Sequence, residues 1–498
     1  MPDVVTLSLM HALAEDEIHR QRTIVRSRRY YGGPEQHVKL TDRLRALFRD
    51  GPGLTDAEML RLNIVKTVVK AVTERLLVTA FPCDVPEVSA FCWRVWQQNR
   101  MDQHEDTLHT AVLRDGEAFL LVTWDGTRPR LVPHDTWVDA DIRGLGTRGG
   151  ARPAGLGPER GTGMGVGCKA FWEDDDPSQP LRFVSKRWIE ERWGDGTLTR
   201  TQRLTLYYPD RVEKYAWQGG HYEPYQDAGD PAWPLPWVDR QGRPLGVAMV
   251  PFLNHEREPE ALEAIPLQNA VNKLLVDLMT ASDETAFRIF YALGFIPTTD
   301  GAPPKADKSN WWQLQPGQIV GTARPASETA FGAIDGADLR TLIEPLNQLI
   351  FYTAMATDTP VSRFLATAQI AAEGTLKQQE APLVNKIRKR QSLIGNGYED
   401  ALLLACRVQQ TFGAANVLPV NLDTVTLDTQ WEPAETRDER ELIEGLALKR
   451  EKLGVPLEQI WREAGYTEEQ IAAMQASPEY QARLGLLSLG GSLTTGEA

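Results

Sequence analysis

At 498 residues with a formal net charge of −14, the chain is long enough for two to four domains with real apolar cores. That charge argues against a protein that grips DNA by neutralising phosphates, but not against one that DNA must pass without sticking. Hydrophobic residues make up 42% and charged residues 24%, as in ordinary globular chains, and no window approaches the ~20 apolar residues of a membrane span.

The N-terminal run MPDVVTLSLMHALAEDE lacks a basic leader and is interrupted by His11 and acids, so it does not read as a signal peptide. Residues 8 to 50 alternate apolar and charged positions at helical spacing, broken at YYGGP. From 56 to 78, Leu62, Val65, Val69, Val72 and Leu76 fall on one helical stripe, and FPCDVP ends that helix. SAFCWRVWQQNRMDQHEDTLHTAVLRDG resumes helical patterning.

The character then changes. EAFLLVTWDGTRPRLVPHDTWVDADI has short β-rich runs between Asp-Gly and Pro turns, as expected of an antiparallel sheet. After a glycine-rich loop at 144–167, KAFWE, LTRTQRLTLYYPDRVEKYAW and VAMVPFLN continue it, with Pro and Gly between 219 and 246 predicting long loops. From 264 the spacing predicts a helix running to Gly294, about 45 Å long. A compact insert leads to a returning helical stretch, ADLRTLIEPLNQLIFYTAMATDTP, in which Pro345 either starts the regular part or kinks it. A small-residue stretch follows Pro360, then a helix from about 373 to 411 with Pro382 as a kink point, then an acidic helical module and the tail GGSLTTGEA, predicted to be disordered. The fold class is α+β, mainly helical.

Candidate chemistry is sparse. HEDTLH places His104 and His109 at i and i+5, about 140° apart around a helix, whereas a zinc pair needs one face. Gly144, Gly146 and Gly149 form a nominal GxGxxG, but Pro153 and further glycines follow where a dinucleotide site needs a helix. EDDD at 173–176 precedes Pro177 and Ser178 and reads as a solvated turn. Cys83, Cys92, Cys168 and Cys406 make no CxxC pair, have no His at zinc-finger spacing, and read as reduced, half-buried side chains of a cytosolic protein. No cofactor, metal or catalytic residue is expected.

A long helix, an insert of about 40 residues, a returning helix and a further long helix bury a core poorly in a monomer. Copies standing side by side around an axis would cover both faces of each helix. In this order of elements the chain resembles the portal proteins of tailed bacteriophages, with their wing, stem, clip and crown. The residues carrying the resemblance are RRYYGG (Arg28 to Gly33), LNIVKTVVKAVTERLLVTAF with Asn63, AVLRDGEAFLLVTWD with Gly116, PLQNAVNKLLVDLM with Asn272, LQPGQIV with Gly317, and TDTPVSRFL. The chain departs from the family's Ser-Gly-x-Ala at Glu373 to Leu376.

The resemblance implies a wing at 1–255 (helical 1–113, β-rich 114–255), stem helices at 256–293 and 337–358, and a clip at 294–336. A tunnel loop and long wing helix would occupy 359–430, and a crown with its tail 431–498. It implies a homo-oligomeric ring, usually a dodecamer, at one capsid vertex of the virion, assembled in the host cytoplasm. Double-stranded DNA would pass through without sequence reading. The large terminase subunit, head-completion or adaptor proteins, and major capsid and scaffolding proteins would be partners, with no membrane. Arg363, Thr367 and Gln369 would lie on the tunnel loop, with Arg363 facing either the lumen or a neighbour's carboxylate. Lys305, Lys308 and Arg324 would face the clip lumen or terminase, and Trp311 and Trp312 would anchor an interface or form the clip core. Lys273 and Arg288 would serve the stem interface. Lys386, Arg388, Lys389 and Arg390 cannot all face one duplex, since adjacent helical residues diverge; pairing with acids of a neighbouring subunit or of the C-terminal module is expected. Two other readings stay open: a metal-dependent hydrolase or nuclease using HEDTLH or EDDD, and a monomeric helical adaptor.

Overall fold

The computed structural model describes residues 23–33, 38–47, 60–138, 166–194, 197–218, 221–286, 289–293, 327, 330–334, 338–364, 373–414, 418, 421–435, 439–466, 471, 474–478 and 480. It forms two compact units, Met1–Glu432 and Pro433–Ala498.

The first unit opens with helices α1 (23–32) and α2 (Asp42–Leu47), then α3 (Ile64–Thr73). Val65, Val69 and Val72 of the expected stripe are buried on α3; Leu76 is buried beyond its end, and Leu62 is 42% exposed before its start. Strand β1 (Val78–Ala80) leads to α4 (Pro86–Gln98) and α5 (Met101–Asp115). The break between α4 and α5 falls at Arg100, whose φ is 52°, and α5 ends at Gly116 with φ 91°. A Cβ at Gly116 would lie 2.4 Å from the carbonyl oxygen of Arg257, so this position admits no side chain.

Strands β2 (Glu117–Trp124) and β3 (Pro129–Asp135) follow, with β2 central in a three-stranded antiparallel sheet beside β11 (Met249–Leu253). Between them run β4 (Trp137–Val138), β5 (Val166–Trp172), β6 (Leu181–Gly194), β7 (Thr197–Tyr207), β8 (Arg211–Gln218), β9 (His221–Pro224) and β10 (Leu235–Pro236). They form a seven-stranded antiparallel sheet in the order β10-β8-β7-β6-β5-β4, with β9 pairing β8. Its longest strand, β6, has no counterpart in the sequence reading, because Lys186, Arg187, Glu190, Glu191 and Arg192 mask its period-2 pattern. The turn before β6 carries the acidic run: Glu173, Asp174 and Asp176 are exposed there, as a solvated turn requires. The GLGTRGG loop lies outside the described residues.

Helix α6 (Ala264–Ala286) is shorter than its pattern suggests, at 23 residues or about 34 Å. Instead of continuing to Gly294, the chain forms β12 (Ile289–Leu293), paired antiparallel with β13 (Ala330–Ile334). The β-branched and aromatic run IFYAL has a strand partner there, and pairing overrides the helical spacing. Helix α7 (Arg340–Ala356) returns and packs along α6, with Pro345 accommodated inside it. On its free side Ile343, Phe351, Tyr352 and Met355 are 41%, 45%, 50% and 63% exposed, whereas Ile350, Thr353 and Ala354 are buried.

Helix α8 (Glu373–Phe412) runs for 40 residues, through Pro382, and β14 (Gln430–Trp431) pairs with β1. From Leu383 onward α8 is buried at helical spacing by Ile387, Ile394, Tyr398, Leu402 and Cys406. Tyr398 sits in an aromatic cluster with Trp96 at 5.1 Å, Phe252 at 4.8 Å and His109 at 5.8 Å between ring centroids. Its hydroxyl lies 2.9 Å from His109 Nε2. Burial pushes His109 down to about 3, so the ring is a neutral hydrogen-bonding group of the core. His104, by contrast, is exposed, so the two histidines of HEDTLH face different surroundings.

The second unit contains α9 (Glu439–Leu453) and α10 (Leu457–Glu463). Ala434, Leu446, Ile460 and Ile471 are its buried side chains among the described residues, with Trp461 tilted against Tyr480 at 5.4 Å between ring centroids and Lys449 paired to Glu463 at 2.6 Å.

Glu105 marks a cost in this core. Burial, assisted by Asp102 and Asp106 and opposed by the Val78 amide, pushes its carboxyl up to about 7. A raised carboxyl favours folding fully below its ordinary value of 4.5 and loses that contribution as pH rises through about 7. Glu105→Gln should therefore unfold at a higher temperature than the native chain at pH 8.5, with the difference shrinking at pH 5. Thermal melts at the two pH values measure this, and an equal difference at both would contradict it.

Candidate functional site: a polar junction at the base of the long helices

The sequence motifs from four distant segments converge on one place. Asn63 caps α3, its Oδ1 accepting from the Lys66 amide at 3.0 Å while its Nδ2 donates to the Tyr31 carbonyl at 2.9 Å. Gln268 on α6 is fully buried, and its Oε1 accepts from the Ile64 amide at 2.6 Å and the Val65 amide at 3.3 Å. One turn on, Asn272 Oδ1 accepts from the Leu62 amide at 3.2 Å. Asn269 and Tyr30 exchange hydrogen bonds, and Arg61 Nη1 donates to the Gly32 carbonyl at 3.1 Å. A helix start leaves orphan amides; here α6 supplies their acceptors, so α6 is fixed to α3 in register as well as by packing.

A second layer of charge lies beside it. Asp115, at the end of α5, is bidentate to Arg28 at 2.9 and 2.5 Å and to Arg114 at 2.8 Å twice, with no exposure of its own side chain. Glu117 of β2 pairs with Arg257 at 3.2 Å, and the Asn254 amide reaches the Gly116 carbonyl at 2.8 Å. The open approach at Gly116 is therefore what lets segment 254–260 lie on the end of α5.

Glu260 completes the junction. Its side chain is 4% exposed and meets Lys386 Nζ at 3.2 Å and Arg390 Nε at 2.9 Å, with Asn254 Nδ2 at 3.3 Å. Lys386 also donates to the carbonyl of Thr357, which caps α7. Burial alone would raise the Glu260 carboxyl, but Lys386 and Arg390 outweigh it and hold it below its ordinary value. One carboxylate thus ties α8 to the segment leading into α6, and one lysine ties the same helix to the end of α7.

Lys386 and Arg390 are four residues apart and share the buried face of α8. The acid they meet is Glu260 of their own chain, within 3.2 Å, and both cations are nearly buried. Arg388 and Lys389 lie on the exposed face of the same helix. Arg363 is exposed and pairs with Glu74 of its own chain at 3.1 Å, while the adjacent Arg75 pairs with Glu380 at 3.1 Å. Lys273 is exposed and pairs with Asp277 one turn along its own helix at 2.6 Å. Thr367, Gln369, Arg288, Lys305, Lys308, Trp311, Trp312 and Arg324 lie outside the described residues.

Sequence reasoning did not single out Glu260 or Gln268. The available signals were a glutamate four residues before the start of α6 and a Gln-x-x-x-Asn pair at i, i+4 in its first turns. Among the described residues, no three His, Cys, Asp or Glu side chains gather as a metal cage, and no helix is long and apolar enough to cross a membrane.

The profile of the family "Phage portal protein, SPP1 Gp6-like" matches residues 170–483, more than half of the chain. The chain belongs to that family. Among solved structures, a chain from the virion of a native gene transfer agent particle aligns over 89% of this portal chain and 92% of its own, at 12% identity and a TM-score of 0.35. No curated protein matches the sequence. The portal family spans β5 through the second unit, so α6, α7, α8 and the Glu260 junction all lie within the matched region.

Removing one partner of a buried ion cluster leaves uncompensated charge and costs about 3–5 kcal/mol. Glu260→Gln, which strands two cations, should lower stability by that amount, and Lys386→Met by less, because Arg390 still pairs with Glu260. Urea denaturation of both variants checks the order. Because the Glu260 carboxyl is held low, its contribution is present above its ordinary value of 4.5 and lost on acidification below it; the gap between wild type and Glu260→Gln should close in acid.

Proposed function

We infer that the protein is a portal subunit that assembles into a ring at a capsid vertex of a virion, through which double-stranded DNA is packaged and ejected. Membership of the portal family supports the class. The observation that carries the assembly is the free side of α7, where Phe351, Tyr352 and Met355 stand open on a helix whose other side packs on α6. A neighbouring copy would cover them, and each such side chain contributes roughly 1.5–3 kcal/mol when fully buried. In this reading α6 and α7 are the stem, the β12–β13 ribbon and residues 294–329 the clip, residues 1–255 the wing, and residues 431–498 the crown.

The polar junction then has a mechanical role. It fixes the bases of both stem helices to the wing through α8, so that force on the stem reaches the wing without loosening the hairpin. Net charge of −14 keeps the affinity for a polyanion low, which suits a conduit. The chain is read as a structural component, with the packaging ATPase activity residing in a terminase that docks at the clip, where Lys305, Lys308, Arg324, Trp311 and Trp312 are the proposed residues of the clip lumen or of the terminase contact. Head-completion proteins would dock below, and capsid and scaffolding proteins would surround the wing. Arg363, Thr367 and Gln369 are the proposed lumen residues, with the Glu74 pair holding Arg363 at the base of its loop. Lys273 and Arg288, with Arg388 and Lys389 on the open face of α8, are the proposed subunit-contact cations.

Native mass spectrometry and negative-stain imaging of the full chain test the assembly. A closed ring with a central hole is expected, and a stable monomer under assembly conditions would overturn it. Phe351→Glu with Met355→Glu should abolish the ring while leaving far-UV circular dichroism unchanged. Arg363→Ala should change stability by less than about 1 kcal/mol, since its ion pair is exposed, and should leave the ring intact while reducing DNA packaging in an in vitro packaging assay. Loss of the ring instead would make Arg363 an interface residue.

A further inference from the structure

Three of the four cysteines belong to one neighbourhood that the portal reading does not use. Cys92 on α4 and Cys406 on α8 are both fully buried, and their sulfurs lie 3.8 Å apart although 314 positions separate them in sequence. Cys83 is half-buried nearby in the chain, its thiol donating to Asp84 at 3.2 Å, and Cys168 is buried on β5. Helices α4 and α8 pack directly on each other, so their sulfurs meet across a helix–helix contact.

We propose that Cys92 and Cys406 are an oxidisable pair that closes into a disulfide and covalently ties α8 to α4. A disulfide needs sulfurs about 2.05 Å apart, so the two must approach by about 1.8 Å, within reach of side-chain rotation and a small helix shift. With a peroxide as oxidant, one thiolate attacks an O–O bond, giving a sulfenic acid and water. The second thiol then attacks that sulfur and expels its hydroxyl as a second water. Two thiols and one peroxide become one disulfide and two waters, with the two electrons taken by the oxidant.

The surroundings set the rate and persistence of this step. Contact with Cys92, with burial added, raises the Cys406 thiol well above its ordinary value, so little thiolate is present and closure is slow. The same burial shields the closed bond from glutathione, whose thiolate must reach a sulfur to reduce it. Cross-linking residues so distant in sequence removes a large share of the unfolded chain's freedom. Under the portal reading the assembled particle leaves a thiol-rich cytosol for an oxidising medium, where such a bond would form. The cross-link itself does not depend on ring assembly.

The test treats the purified full-length chain with hydrogen peroxide at pH 8, then alkylates it in denaturant with iodoacetamide and maps its peptides. A single Cys92–Cys406 disulfide peptide is expected, with a mass loss of two hydrogens and with Cys83 and Cys168 alkylated. The thermal midpoint should rise by roughly 2–6 °C, and dithiothreitol should reverse the rise only after unfolding. Cys83→Ser should form the bond unchanged, and Cys92→Ala should lose the thermal gain. Four alkylated thiols, oxidation confined to Cys83, or a bridge between two chains through Cys83 would each overturn the proposal. Because the readout is an intrachain bond, it succeeds or fails whether or not the chain forms rings.

Discussion

The contact among Glu260, Lys386 and Arg390 is the one on which the arrangement of the long helices depends. Three charges, each nearly removed from water, are tolerable only together, because an unpaired buried charge costs several kcal/mol. The cluster therefore has little latitude: if α8 slides or rotates, two cations lose their carboxylate at once. Lys386 extends the constraint to α7 by donating to the Thr357 carbonyl. Around it, Asp115 with its two arginines and Gln268 with the orphan amides of α3 repeat the same principle, holding helix ends with directional bonds where apolar packing alone would allow sliding.

The hydrophobic and polar parts of the molecule divide the labour. The apolar face of α8, from Leu383 to Val408, and the aromatic cluster around Tyr398 contribute apolar burial. That packing holds the layers together but is only weakly selective for register. Register is set by the junction and by the Tyr398–His109 hydrogen bond. The free side of α7 has exposed apolar residues and no partner among the described residues.

The sequence made the helices legible wherever one face carried apolar residues over several turns: the ends of α8 fall where that pattern predicts, while α3, at Ile64–Thr73, takes up only the middle of the 56–78 stretch. It misled at the end of α6, where helical spacing continues into a segment that pairs as a strand, because periodicity does not register a distant partner. It concealed β6, whose charged residues pair across the sheet: Arg203 on β7 binds Glu190, and a strand read alone shows only scattered charge. The motif residues Tyr30, Asn63, Gly116 and Asn272 were visible as a family pattern, but their shared reason, meeting at one junction, required the fold. The KIRKR run shows the limit most clearly. Its helical phase revealed that the cations diverge, but not that Glu260, over a hundred residues earlier, would take two of them.

The continuity of α8 has a consequence for how this chain can vary. Between Lys386 and Cys406 the helix runs unbroken, and its fixed points lie at Glu260, His109 and Cys92 in turn. An inserted residue turns everything beyond it by about 100° and advances it by 1.5 Å. One insertion between Arg390 and Tyr398 would swing Tyr398 away from His109, and Cys406 away from Cys92, while leaving the ion cluster in place. The segment therefore acts as a ruler whose length is counted in single residues. Divergence can change its exposed positions freely, but change of length must be pushed into the loops at either end.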